Sequence, residues 1–291
     1  MNKLALGTAQ FGMNYGIGSS SGRVPINEVK KILDYAKSIN IDMLDTASAY
    51  GESEKTLGEL NVENFRVVTK TRHFTNSKLT DDDLNILNDD FNQSLKSLRL
   101  DSVYGLLIHN TEDLMKPGAS KIIDFIQNLK LTNKIKKIGV SIYENKHLSF
   151  VLKNFDIDLV QLPLNIFDRR LIDNGMLKSL SQEGLEIHVR SVFLQGLMLM
   201  HDSTRPRKFD RWNSLWKSWS EWLNDHKISP LEASIRYVLS FEEISKVLVG
   251  VDSINQLKEI EDATSGVLPS IPNDLYTDDA LLLNPSNWNL I

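Results

Sequence analysis

Four residues able to do carbonyl chemistry each follow, or lie just past, a short apolar run. Asp45 and Tyr50 lie in Leu44-Asp45-Thr46-Ala47-Ser48-Ala49-Tyr50-Gly51, Lys70 closes Val67-Val68-Thr69-Lys70, and His109 closes Leu106-Leu107-Ile108-His109. Singly, each is ordinary: a lysine ending a strand is usually solvated, a tyrosine packs, a histidine finds a hydrogen bond. Together they fit one reaction. A ketone that accepts hydride needs a proton on its oxygen, and a phenol with an ordinary pKa near ~10 donates poorly unless its phenolate is stabilised. A buried ammonium beside it gives that stabilisation. Burial would strip the lysine of its proton, so a carboxylate is needed to hold the charge. An imidazole then orients the carbonyl oxygen or shares the proton. Asp45, Tyr50, Lys70 and His109 are therefore the expected catalytic set.

These residues must be brought together by the elements that carry them. Eight short apolar runs recur, at 4–9, 41–47, 65–70, 103–109, 136–141, 159–164, 186–193 and 246–251, with helical periodicity in the stretches between. That alternation is the βα pattern of a parallel sheet. Segment 26–40 places Val29, Ile32, Leu33 and Ala36 on one face, and 80–100 opens with an acidic first turn that suits a helix dipole. Eight βα units predict a single (β/α)8 TIM barrel of class α/β spanning residues 1–291, with an open doubly wound sheet as the alternative. In a barrel the strand C-termini face one mouth, which is where distant residues converge. Two segments interrupt the alternation after such ends, the glycine-rich loop 10–25 and an inserted helical segment at 200–228 after strand seven. In the insertion Trp212, Trp216, Trp219 and Trp222 recur at helical spacing. The stripe reads first as a packing face, with a lid over the mouth as the other reading. The tail from Gly266 has little periodicity and is expected to wrap over the barrel.

Composition narrows the partners. The 291 residues are 41% hydrophobic and 24% charged with a net charge of −5, which supports a large core and argues against nucleic acid or an anionic membrane as partner. There are no cysteines, so disulfides and thiolate metal sites are excluded. No apolar run approaches the roughly 18 residues of a membrane helix, and the N-terminal run is too short for a signal-peptide core. The expectation is an unprocessed cytoplasmic protein acting on a small carbonyl or alcohol substrate.

The sequence resembles the aldo-keto reductase family over almost its whole length, from Leu4-Ala5-Leu6-Gly7-Thr8 to Gly250-Val251-Asp252-Ser253. Asp45-Thr46-Ala47-Ser48-Ala49-Tyr50-Gly51 looks like the family's Asp-Thr-Ala-x-x-Tyr-Gly motif, and Lys70 and His109 fall where its remaining tetrad members belong. The resemblance implies Tyr50 as general acid-base, tuned by Lys70 and Asp45, in NAD(P)H-dependent reduction of an aldehyde, ketone or sugar-like carbonyl, or the reverse. It also implies cofactor contacts at Gly7, Thr8, Ser141, Gln161, Arg190, Ser191, Gly196, Gly250, Asp252, Ser253 and Gln256. Two positions depart from the family. Ile142 replaces the asparagine of its Gly-x-Ser-Asn segment, and Arg190 stands where many relatives have a tyrosine that stacks on nicotinamide. Gly12, Gly16 and Gly18 do not have the spacing of a Rossmann fingerprint.

Most members of the resembled family use NADPH. Here 250–256 holds no Arg or Lys, and Asp252 suits an unphosphorylated ribose. Ser253, Asn255, Gln256, a helix N-terminus and Lys258 favour a 2′-phosphate, so NADPH is expected over NADH. Asn14, Arg190 and Asn165 near the mouth point to a hydroxylated substrate. Two rival readings compete with this one: a metal-dependent hydrolase using Asp45, His109 and His188, which leaves Tyr50 and Lys70 without roles, and a cofactor-binding redox sensor, which needs no proton donor. No metal is expected.

Overall fold

In the computed structural model, which describes residues 2–17, 22–143 and 145–291 (the side chains of 145 and 146 excepted), the eight apolar runs pair in sequence order and close on themselves. Gly18 of the glycine-rich loop lies outside the described residues. The strands are β1 (Leu4–Gly7), β2 (Met43–Asp45), β3 (Arg66–Lys70), β4 (Val103–Ile108), β5 (Ile135–Ser141), β6 (Leu159–Pro163), β7 (Glu186–Arg190) and β8 (Lys246–Gly250). After β1 come α1 (Ala9–Gly12) and α2 (Ile26–Ser38), after β2 α3 (Ser53–Glu59), after β3 α4 (Asp81–Leu98), after β4 α5 (Ser120–Leu131) and after β5 α6 (Asn145–Asn154). They are followed by α7 (Arg170–Asp173) and α8 (Met176–Gln182) after β6, α9 (Asn213–His226) and α10 (Pro230–Leu239) after β7, and α11 (Ile254–Ala263) and α12 (Ala280–Leu283) after β8.

Local chemistry explains the helix ends. Thr80 and Asp83 form a reciprocal capping box at the start of α4, satisfying two N–H groups that a helix leaves unpaired, and Arg99 ends it in the left-handed region. The predicted stripe of α2, Val29, Ile32, Leu33 and Ala36, is buried against the barrel wall.

Side chains alternate across each strand, so every second residue points into the barrel. Ala5, Met43, Val68, Leu107, Leu159 and Leu248 fill its middle as an apolar plug. One pleat higher, register sets Gly7 beside both Asp45 and Gly250, Ser141 beside Gln161, and Pro163 beside Arg190. This upper ring is the floor of the mouth. On the inner face of β7, two residues below Arg190, His188 is fully buried and bonded through Nε2 to Glu186 (2.8 Å), whose other oxygen accepts from the Tyr104 hydroxyl (2.6 Å).

Three strands are shorter than their apolar runs by two residues or more. β1 stops at Gly7 and the chain turns at once into α1, β2 keeps three residues, and β7 stops at Arg190 because Ser191 takes φ +61. Val192 and Leu194 beyond it are buried in the loop, so the apolar run continues where the strand does not.

The tryptophan stripe of α9 is a packing face. Trp216 and Trp219 are each 2% exposed and set edge-on to Phe167, and Trp219 stacks on Trp222. Each indole N–H has a partner: Asp279 for Trp212, and the carbonyls of Phe209, Met198 and Ser270 for Trp216, Trp219 and Trp222. The tail closes over this layer, burying Leu275, Leu282 and Trp288.

Candidate active site

The four expected catalytic residues meet at the mouth. Asp45 and Lys70 end neighbouring strands and point inward above the apolar plug, with side chains 5% and 1% exposed. Lys70 Nζ donates to Asp45 Oδ1 (2.5 Å), to the Thr46 carbonyl (2.9 Å) and to the Tyr50 hydroxyl (3.4 Å). Tyr50 lies on the turn between β2 and α3, which approaches α1 closely. A Cβ on Gly12 would sit 1.8 Å from the Tyr50 carbonyl oxygen, so this contact requires glycine. His109 meets the Tyr50 ring edge-on at 6.1 Å.

The electrostatics follow from burial. Burial opposes the Lys70 charge, but the Asp45 carboxylate beside it, with Tyr50, outweighs that effect and holds the ammonium above the ordinary lysine value. His109 is pushed down to about 4, first by burial and then by the Lys70 charge, so it is neutral near pH 7 and offers one N–H donor. Among the described residues no three His, Asp or Glu side chains are grouped as a metal site, and His188 lies below this ring, bonded to Glu186.

The residues expected at the cofactor divide into three groups. Gln161 and Ser141 join the catalytic cluster directly: Gln161 Nε2 donates to Asp45 Oδ2 (2.7 Å), and Ser141 Oγ donates to Gln161 Oε1 (3.4 Å). Thr8 is fully buried, and its backbone N–H and hydroxyl both donate to the Asp45 carbonyl (3.0 and 2.9 Å). Both bonds help to fix the position of Asp45. Gly7 and Gly250 lie side by side without side chains next to Asp45, and the Gln10 side-chain amide lies against Gly250.

Ser191 and Gly196 belong to a loop wound in the left-handed region at Ser191 (φ 61), Leu194 (φ 45), Gln195 (φ 54) and Gly196 (φ 92). Such conformations cost energy for residues other than glycine, and within the loop the Leu194 and Gly196 N–H groups donate to the Ser191 and Phe193 carbonyls (3.1 and 3.0 Å). The Gln195 carbonyl accepts from the Ile17 N–H (3.1 Å), and Gln195 Nε2 donates to the Tyr15 hydroxyl (3.2 Å), linking the first and seventh loops. Arg190 Nη2 donates to the Ile142 carbonyl (2.8 Å) and Nη1 to Ser191 Oγ (3.1 Å), and its guanidinium stacks on Tyr143 at 3.8 Å.

The third group surrounds the start of α11. Ser253 caps the helix by accepting from the Gln256 N–H, and Gln256 Oε1 accepts from the Asp252 N–H (2.7 Å). Glu28 Oε1 on α2 accepts from the Ile254 N–H (2.9 Å), a bond that holds the Glu28 carboxyl below its usual range. Lys258 leans over the Tyr35 ring at 5.3 Å instead of turning back toward the helix start.

Sequence reasoning missed Tyr15, Tyr143, Gln195 and Glu28. Only Tyr143, an aromatic two residues past a strand end, carried a local signal. Asn165, expected at the substrate, is fully buried: its amide donates to the Ser191 carbonyl and accepts from the Phe167 and Asp168 N–H groups. Asn14 is exposed.

The hydroxyl of Ser141 and the amide of Gln161 are of the kind that pairs with a carboxamide. A model of the aldo/keto reductase family matches residues 3–270. An uncharacterized oxidoreductase of Bacillus subtilis is 24% identical over 279 residues, covering 89% of this chain and 90% of that protein. L-galactose dehydrogenase of Arabidopsis thaliana is 26% identical over 261 residues, covering 84% and 80%. Among solved structures, the holo form of an aldo-keto reductase from Bacillus halodurans superposes with a TM-score of 0.72 at 19% identity, covering 92% and 88%.

Proposed function

Because the chain belongs to the aldo/keto reductase family, and so is a nicotinamide-dependent oxidoreductase acting on carbonyls, we propose that Tyr50 is its proton donor and acceptor, tuned by Lys70 and Asp45. The observation that carries this reading is the buried Lys70 ammonium, held by Asp45 and directed at the Tyr50 hydroxyl. In carbonyl reduction the proton passes from Tyr50 Oη to the substrate oxygen, and Lys70 stabilises the phenolate left behind. Neutral His109 donates a hydrogen bond that orients the same oxygen. The nicotinamide, when bound, supplies or accepts the hydride.

Ser141 and Gln161 would hold its carboxamide, Arg190 would line the ring, and the loop from Ser191 to Gly196 would take the pyrophosphate. Asp252, Ser253 and Gln256 would face the adenosine end. NADPH was expected there from the sequence, but the contacts support NADH. The carboxylates of Glu28 and Asp252 both lie at the start of α11, the Ile254 N–H is already taken, and Lys258 leans away. An anionic 2′-phosphate is repelled where a ribose hydroxyl can donate.

The substrate read here is a small hydroxylated carbonyl or its alcohol. The likeness to L-galactose dehydrogenase and the exposed Asn14 at the mouth support this; Asn165 does not. Tyr50→Phe tests the central claim. It should lower turnover, followed at the nicotinamide absorbance, by at least about a hundredfold while cofactor affinity is nearly kept. Near-native turnover overturns the assignment.

A further inference from the structure

The charges of the upper ring do not cancel. Lys70 is matched by Asp45, and His109, at about 4, is neutral near pH 7. Arg190 is different. Its guanidinium is half-buried and fixed on three sides by the Ile142 carbonyl, Ser191 Oγ and the Tyr143 ring. None of these carries a negative charge, and among the described residues no carboxylate forms an ion pair with it. Its field reaches the reacting centre, since it is one of the charges that lower the pKa of His109.

Hydride transfer needs the nicotinamide ring in contact with a carbonyl carbon whose oxygen sits at Tyr50 and His109. The ring would therefore lie in the same mouth as this guanidinium, which no carboxylate among the described residues pairs. The oxidised ring carries a positive charge and the reduced ring none. We infer that Arg190 makes this site select the redox state of its cofactor, binding the reduced form and rejecting the oxidised one. The inference rests on the nicotinamide site proposed above and goes beyond it. Two like unit charges a few ångströms apart in a partly desolvated site repel by enough to give about a tenfold difference in affinity or more. Because carbonyl reduction turns the neutral ring into the cationic one, the same repulsion hastens loss of the product cofactor. A tenfold preference corresponds to ~30 mV in the potential of the bound two-electron couple.

The test reads binding, not turnover. Dissociation constants for NADPH and NADP+, and for NADH and NAD+, are measured by calorimetry at pH 7 on the full chain. The ratio of oxidised to reduced within each pair cancels the 2′-phosphate and isolates the ring charge. The native ratio is expected to be about ten or more, to fall roughly tenfold toward one in Arg190→Met, and to stay above one in Arg190→Lys, which keeps the cation. A native ratio near one, or one that Arg190→Met leaves unmoved, overturns the inference while leaving the reductase assignment standing. Failure of all four cofactor forms to bind would overturn both.

Discussion

Asp45→Asn removes one charge and almost no volume, yet the structure gives it two separate costs. The carboxylate accepts from Lys70 Nζ on one oxygen (2.5 Å) and from Gln161 Nε2 on the other (2.7 Å). An asparagine amide has one acceptor and one donor, so an N–H faces an N–H unless the Gln161 amide turns over and takes Ser141 as its acceptor. An unsatisfied buried donor costs ~1–3 kcal/mol. Lys70, its side chain 1% exposed, also loses its ion-pair partner and keeps only the Thr46 carbonyl and the Tyr50 hydroxyl, and breaking a buried pair costs ~3–5 kcal/mol. Lys70 can escape part of that cost by giving up its proton, but it then no longer stabilises the Tyr50 phenolate. Either way the reacting centre suffers. The expected outcome is a fall in kcat/KM of at least about a hundredfold, equivalent to ~2.7 kcal/mol at 1.36 kcal/mol per decade. Urea unfolding should show a loss of a few kcal/mol in the same variant. Initial rates at saturating cofactor and an unfolding curve on the same preparation decide it. Activity within about tenfold of native, together with an unshifted midpoint, would refute the claim that the carboxylate holds both groups.

Comparing kcat/KM for NADH and NADPH on one substrate should favour NADH, and Glu28→Gln and Asp252→Ser should each move the ratio toward NADPH by roughly fivefold. That is what removing one half-buried like charge ~6 Å from a phosphate is worth at a water-like dielectric; a native preference for NADPH would show that the carboxylates do not face the ribose. His109 gives a pH signature. Folded, it stays neutral down to about 4, whereas the unfolded chain takes up that proton below its ordinary ~6.5, so stability is fully present above ~6.5 and is lost as pH falls toward 4. His109→Gln should flatten the urea midpoint between those limits, and an unchanged slope would contradict the buried neutral imidazole.

The sequence alone determined the parts whose physics is local. Apolar runs at strand length alternating with helical periodicity specified the barrel, and a polar residue directly after such a run marked Asp45, Lys70 and His109, because a strand's C-terminal end is where the inward alternation meets the open mouth. Strand ends were less legible. The apolar residues of 192–194 continue the run of β7, but the chain has already turned at Ser191, and burial in a loop leaves the same composition as burial in a strand. The family resemblance puts Thr8 at the cofactor and polarity puts Asn165 at the substrate; the fold adds what spacing cannot show, that Thr8 is bonded to the Asp45 carbonyl and Asn165 to the Ser191 carbonyl and the Phe167 and Asp168 N–H groups. Glu28 reaches the start of α11 from a helix 226 residues away in sequence, and Tyr15 meets Gln195 across the mouth. No spacing in the chain encodes those meetings. They exist only because the barrel closes, β7 pairing with β8 and β8 with β1, which brings the first, seventh and eighth βα units to the same side of the site.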